Sequence, residues 1–232
     1  MSPTDAAGAA PRCVVIGAAG GIGAALADAL QARGEPVLRL SRRSDPPLDL
    51  LDEASIAAAA AHAGEGLRLV LCATGFLHDA RFRPEKALRE LDAAHLAHAF
   101  ALNATGPALV MKHFLPRLAR EGRAVFAVLS ARVGSIADNR LGGWYAYRAS
   151  KAALNQLLRT AAVEAARTRP QQILVALHPG TVATPLSAPF SKAGLEVQSP
   201  AEAAGRLLAV IDRLTPAETG GFFDHRGEAV PF

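Results

Sequence analysis

Short, almost unbroken apolar runs alternate along this chain with longer segments whose apolar residues recur every three or four positions. The runs are Cys13–Gly17, Pro36–Leu40, Leu67–Ala73, Ala124–Ser130, Ile173–His178 and Phe222–Asp224. Runs of this length without polar alternation predict strands buried on both faces, as in a parallel sheet. The periodic segments are Gly21–Arg33, Ser55–Ala63, Leu88–Arg120, Tyr145–Arg167 and Pro200–Leu214, and they predict the covering helices. Gly106-Pro107 lies inside the longest of them and predicts a break or bend.

Strand–helix alternation implies right-handed crossovers and an α/β, doubly wound parallel sheet of about seven strands with helices on both faces. The length of 232 residues suits one such domain over residues 12–232. Residues 1–11 are small and polar, end in Pro11 and read as a loose tail. The tail lacks the basic start and apolar core of a signal peptide, and no stretch reaches the roughly 18 apolar residues of a membrane span. A cytoplasmic protein without membrane association is therefore expected. The Pro- and Ser-rich stretch Pro185–Pro200 follows a strand's carboxyl end and reads equally as a lid or as a surface loop.

Charge and cysteines narrow the picture further. The net charge is +4, but the arginines are scattered, so no nucleic-acid partner is expected. Cys13 and Cys72 both fall in strand runs and make no metal-ligand set.

The turn Gly17-Ala18-Ala19-Gly20-Gly21-Ile22-Gly23 joins the first strand to the first helix. Its spacing departs from G-x-G-x-x-G, with Leu26 where the third glycine would stand. The physical provisions are similar: a sharp turn, backbone close enough to touch phosphate, and a helix packed tightly on the sheet. The free N–H groups at the helix start favour a pyrophosphate. The second strand ends in Ser41-Arg42-Arg43, with arginines where an acid would select a ribose 2′-hydroxyl. That suits a 2′-phosphate, and so NADP(H) over NAD(H). Asp49-Leu50 is in reach of an adenine edge. Together these features indicate a Rossmann fold.

Tyr147 and Lys151 are four residues apart and share a helix face. A phenol titrates near 10, and a neighbouring ammonium is expected to lower that value and make the phenol a better proton donor. With these residues the chain resembles the short-chain dehydrogenase/reductase family over nearly its whole length. The glycine turn, Tyr147-x-x-x-Lys151 with Ser150 before the lysine, Asn103 in the long helical segment and His178-Pro179-Gly180-Thr181-Val182-Ala183-Thr184 carry the resemblance. Within the family the run from Leu129 to Asn155 and the ending from Gly220 to Phe232 look like the C-factor-like and sniffer-like carbonyl reductases.

The resemblance implies an NADPH-dependent reductase of an aldehyde or ketone. Tyr147 would be the acid that protonates the carbonyl oxygen. Lys151 would tune it and hold the nicotinamide ribose, and Asn103 would order a water that relays protons to Lys151. Gly17, Ala19, Gly20, Gly21, Ile22 and Gly23 would wrap the cofactor. Ala73, Thr74 and Gly75 would turn beside the adenine ribose, and Pro179, Gly180, Val182 and Thr184 would hold the nicotinamide. The helices carrying Asn103 and Tyr147 imply a homodimer or homotetramer.

One departure bears on the chemistry. The family's second Ser of a Ser-Ser pair is Ala131 here, after Ser130. On a strand Ser130 should point to the opposite face, so Ser135, just past Gly134, is the expected substitute donor to the carbonyl oxygen. Trp144, Leu141, Leu186 and Phe190 are candidate pocket walls and favour an apolar carbonyl compound. A nucleotide-binding signalling protein with little catalytic activity stays open as the alternative.

Overall fold

The computed structural model describes residues 12–187, 189 and 196–232. The tail 1–11, Phe190 and most of the segment between Ser187 and Glu196 lie outside the described residues. The chain opens with β1 (Cys13–Ile16), α1 (Gly21–Ala32), β2 (Val37–Leu40), α2 (Glu53–Ala63) and β3 (Leu69–Cys72). It continues through α3 (Ala93–Phe100), α4 (Gly106–Phe114), β4 (Ala124–Leu129), α5 (Tyr145–Thr168) and β5 (Gln172–His178). The last elements are β6 (Thr181–Val182), β7 (Val197–Gln198), α6 (Pro200–Arg213) and β8 (Phe222–Asp224).

The main sheet has the order β2-β1-β3-β4-β5-β8, and every neighbouring pair is parallel. Among the described residues it holds six strands rather than about seven. The remaining extended segments, β6 and β7, pair only with each other. β6 starts too soon after β5 to return to the sheet, and the outer edge of β5 is already taken by β8.

Strand side chains alternate between two apolar layers. Val14 and Ile16 face α2, α4 and α5 through Ile56, Val110, Phe114, Leu154 and Leu158. Cys13 and Val15 face α1 and α6 through Leu26, Leu30, Leu207 and Ile211. Burying both faces explains why the strand runs carry no polar alternation.

The long segment predicted over Leu88–Arg120 divides. A π turn at Ala101–Thr105 separates α3 from α4, just before the expected Gly106-Pro107 break. Pro107 has no N–H for the carbonyl four residues back, that of Asn103, and its ring crowds that position. The distortion therefore appears upstream of the proline and falls on Asn103. Gly106 is required there, because a Cβ would sit 2.7 Å from Leu50 Cβ.

Candidate active site

The sheet order reverses between β1 and β3, and a cleft opens at the strands' carboxyl ends there, as expected for this topology. One part, of about 640 Å³, is lined by Gly17, Ala19, Gly20, Ser41, Arg42, Arg43, Asp49, Leu50, Ala73, Thr74 and Gly75 among others. A second part, of about 350 Å³, is lined by Gly21, Ile22, Ser130, Tyr147, Lys151, Pro179 and Thr184 among others. The two share Ala19, Gly20, Ala73, Thr74 and Gly75, so they form one continuous furrow.

The glycine turn is a cradle that side chains would fill. Gly17 has φ +85°, and a Cβ there would lie 2.8 Å from Ala73 O. A Cβ on Gly23 would lie 2.2 Å from Gly17 O, so Gly23 supports the turn from behind and does not line the cleft. Gly20 caps α1 without a side-chain hydrogen bond, which leaves the first N–H groups of the helix facing the furrow.

Arg42 and Arg43 are exposed at the far end of the furrow, and neither forms an ion pair among the described residues. Ser44 Oγ accepts from Ser41 N at 2.8 Å, and Ser41 Oγ accepts from Arg43 N at 3.1 Å, so the loop is set by its own serines. Asp49 Oδ1 accepts from Leu51 N at 3.0 Å, and Asp49 N donates to Ser55 Oγ at 2.9 Å.

α5 presents both Tyr147 and Lys151 to the smaller part of the furrow. Lys151 is 2 % exposed, donates from Nζ to Leu129 O at 2.9 Å, and has its ammonium pulled down to about 8 by burial. Burial pushes the Tyr147 phenol up to about 12. The expectation that Lys151 would lower the phenol is therefore reversed in this structure. Nζ lies 6.0 Å from the phenol ring centroid, and loss of water around the phenol sets the direction of its shift.

Asn103 is fully buried behind the furrow. Its Oδ1 accepts from Phe76 N at 2.7 Å, and its Nδ2 donates to Phe76 O at 2.8 Å and to Ser150 Oγ at 3.1 Å. The amide has no N–H left over, while Oδ1 keeps one lone pair. A Cβ on Gly75 would lie 3.6 Å from Lys151 Nζ and 4.0 Å from Asn103 Oδ1, so both groups border the open side of Gly75.

The serines are arranged otherwise than the alternation rule suggested. Ser130 lines the smaller part of the furrow, and its hydroxyl donates to Asn155 Oδ1 at 2.7 Å. β4 ends at Leu129, so strand alternation no longer governs Ser130. Ser135 is 2 % exposed, accepts from Asp138 N at 3.0 Å, and is not among the cleft-lining residues. The 3₁₀ turn Arg132–Gly134 folds it inward. Gly180 and Val182 likewise stand behind the furrow, where Val182 is buried in the β6–β7 ribbon.

Several lining residues gave no advance signal. Phe76, Asp79, His98 and Leu102 also border the furrow; Phe76 and Asp79 come from a segment without strand or helix periodicity, His98 from α3 and Leu102 from the π turn. Asn155 had a signal, since it follows Lys151 by four residues and shares its helix face.

Residues 17–213 match the family model described as enoyl-(acyl carrier protein) reductase. The chain belongs to the short-chain dehydrogenase/reductase family. Among its relatives in that family, the C-signal protein of Myxococcus xanthus is 40% identical over 147 residues, 63% of this chain and 84% of that one. The 1-hydroxy-2-glutathionyl-2-methyl-3-butene dehydrogenase of Rhodococcus sp. is 32% identical over 224 residues, 91% of this chain and 95% of that one. An NADPH-bound carbonyl reductase from chicken fatty liver superposes with a TM-score of 0.83 at 27% identity, covering 97% of this chain and 100% of that one. The carbonyl reductase Sniffer of D. melanogaster shares the fold, with a TM-score of 0.82 at 21% identity over 97% of this chain and 100% of that one. The short-chain dehydrogenase/reductase assignment agrees with the furrow, the glycine turn and the α5 pair. Among the described residues no helix is long and apolar enough to cross a membrane.

Proposed function

We propose that this protein is an NADP(H)-dependent reductase that converts an aldehyde or ketone to an alcohol, with Tyr147 as the proton donor. The observation that carries this reading is the continuity of the furrow: Tyr147 and Lys151 open onto the same space as the glycine cradle and the free arginines. The NADPH-bound relative among solved structures supports it.

The residues fit the cofactor. Gly17, Ala19, Gly20, Gly21 and Ile22 would hold its pyrophosphate, and Ser41, Arg42 and Arg43 its 2′-phosphate. Asp49, Leu50, Ala73, Thr74 and Gly75 would hold the adenosine, and Pro179 and Thr184 the nicotinamide, with Gly23, Gly180 and Val182 supporting from behind. Bound there, the cofactor supplies the hydride.

Tyr147 holds the proton at its hydroxyl. A phenol near 12 stays protonated at neutral pH, and an alkoxide is a stronger base than a phenolate, so the transfer runs downhill. Lys151, near 8, is charged at neutral pH and stabilises the phenolate left behind. A water held over Gly75 between Lys151 and Asn103 would return the proton. Ser130 is the hydroxyl at the reaction end that would meet the carbonyl oxygen by turning its one proton away from Asn155 Oδ1, and Ser135 would instead fix the loop. The α4–α5 face, where Leu157 and Val163 are exposed, is the face proposed for a homodimer or homotetramer.

The test is an NADPH-oxidation screen over aldehydes, ketones, quinones and keto-acids, with Tyr147→Phe beside the wild type. Tyr147→Phe should lose about 10²-fold or more in rate and keep NADPH affinity, since only a hydroxyl is removed. Retention of more than about a tenth of the activity would refute the assignment. Ala131, standing where the family has serine, favours a second reading as a nucleotide-binding signalling protein. NADPH binding without turnover of any carbonyl would support that reading instead.

A further inference from the structure

α5 begins without a cap of its own. Its N-cap residue, Trp144, makes no side-chain hydrogen bond to the helix, and the first turn holds no acidic residue. The backbone enters through Gly142, Gly143 and Trp144 at φ +63°, +64° and +53°. A residue with a Cβ persists in that left-handed region only where its surroundings over-determine it. Glu85, 61 residues before Ala146, supplies those surroundings. Its main-chain O accepts from Trp144 N at 2.5 Å, and its Oε2 accepts from Ala146 N at 3.2 Å. The Ala146 N–H is one that an N-cap serine or aspartate would ordinarily satisfy. Arg148 holds the same entrance from within the helix, donating from Nε to Gly143 O at 2.9 Å.

Glu85 is itself held. It is 2 % exposed, and its Oε1 lies 2.9 Å from Nδ1 of His95 on α3, a close polar contact short of hydrogen-bond alignment. The His95 ring stacks on Phe82 with centroids 4.9 Å apart and planes at 6°, and Phe76 meets it at 6.1 Å and 85°. Neither Glu85 nor His95 lines either part of the furrow. A buried carboxyl group outside the furrow therefore clamps the residue immediately before Tyr147.

We propose that Glu85 is the positioning residue for Tyr147: its carboxyl group caps α5 from a distant segment and fixes the turn that carries the proton donor. The proposal rests on the reductase reading. Tyr147 belongs to the first turn of α5, where N–H groups lack helical partners and fraying starts. Lys151 stands one turn further in, and its Nζ is anchored on Leu129 O. Releasing the clamp therefore moves Tyr147 and leaves Lys151 in place. A proton donor serves its target only within about 2.6–3.2 Å, and a misplacement of about 1 Å is enough to cost rate. What the clamp needs from Glu85 is an acceptor at the Ala146 N–H, and a carboxamide of the same length offers one.

Glu85→Met fills the site without an acceptor, Glu85→Gln keeps the acceptor, and Glu85→Asp withdraws it by one methylene. The assay uses NADPH and the carbonyl compound that the wild type reduces fastest in the oxidation screen. Glu85→Met should lose about tenfold or more in kcat, with KM and NADPH affinity within about threefold of wild type. Glu85→Gln should stay within about threefold in kcat. Glu85→Asp should fall between the two, and it decides the matter if the methionine variant does not fold. In a Tyr147→Phe background, Glu85→Met should change the residual rate by less than about twofold, because the group it positions is gone. Equal losses in both backgrounds, or a glutamine variant as slow as the methionine one, would overturn the proposal. Amide hydrogen exchange reads the clamp without substrate. The Ala146 hydrogen should exchange about fivefold or more faster in Glu85→Met, as loss of a cap predicts, while that of Leu154 in mid-helix holds its rate. An unchanged Ala146 rate would also overturn the proposal. Faster Ala146 exchange in a protein that reduces no carbonyl compound would retain the clamp and remove the reductase reading.

Discussion

Lys151→Met should make this protein inactive and, at neutral pH, more stable. Lys151 is 2 % exposed, and burial has lowered its ammonium from 10.5 to about 8. In the unfolded chain the lysine stays protonated up to about 10.5, whereas in the folded chain it loses its proton through about 8. Below 8 both states are charged, and the folded state carries the whole penalty, roughly 3 kcal/mol. Between 8 and 10.5 the unfolded chain binds more protons, so wild-type stability gains with pH from this group. Methionine fills a similar volume with no charge and escapes the penalty. It also leaves Leu129 O without its donor, at a cost of about 1–3 kcal/mol. The variant should therefore be level with or above wild type at pH 7 and below it near pH 10. At this chain length 1 kcal/mol moves the melting temperature by about 2–4 °C, so the difference in Tm should swing by roughly 6–12 °C. Thermal melts of both proteins without cofactor, from pH 7 to 10, read this directly. A difference that stays constant to within about 1 kcal/mol across that range would refute the reasoning.

Arg42→Ala should weaken NADPH binding about ten- to hundred-fold and leave NADH nearly unchanged, as a lost charge-assisted contact predicts. Equal wild-type affinity for the two cofactors, measured by titration, would sink that reading. Gly75→Ala is sterically mild, with its nearest contacts at 3.6 and 4.0 Å, but it would occupy the space between Lys151 and Asn103. A drop in kcat of about tenfold or more with unchanged NADPH affinity is the expected outcome, and an unaltered kcat would exclude a relay water there. Ser130→Ala should cost on the order of 10²-fold in kcat/KM, whereas Ser135→Ala should lower thermal stability and spare turnover. The opposite ranking would return the donor role to Ser135.

The sheet was legible because parallel strands buried on both faces must read as apolar runs, and Cys13–Ile16 and Leu69–Cys72 do. The glycine turn was legible because few sequences other than glycine fit its geometry. The π turn at Ala101–Thr105 was not, since Pro107 acts through the carbonyl four residues earlier. Ser130 was assigned to the wrong face because nothing in its neighbours says that β4 stops at Leu129. The Tyr147 acidity was misjudged for a related reason. Spacing along a helix reveals that two groups are neighbours, but the burial that shifts them comes from other segments.

The Asn103 clasp has a kinetic consequence. The segment after β3 carries no regular secondary structure, and such segments ordinarily open on their own at little free-energy cost. The Phe76 amide is different, because its hydrogen ends on a side chain with 0 % exposure that is itself bonded to Ser150 of α5. Freeing that hydrogen means parting the π turn from α5 or withdrawing the loop from both. Its exchange with solvent deuterium should therefore be as slow as that of core strand amides. One asparagine thereby places a wall of the furrow in the same cooperative unit as the helix that carries Tyr147.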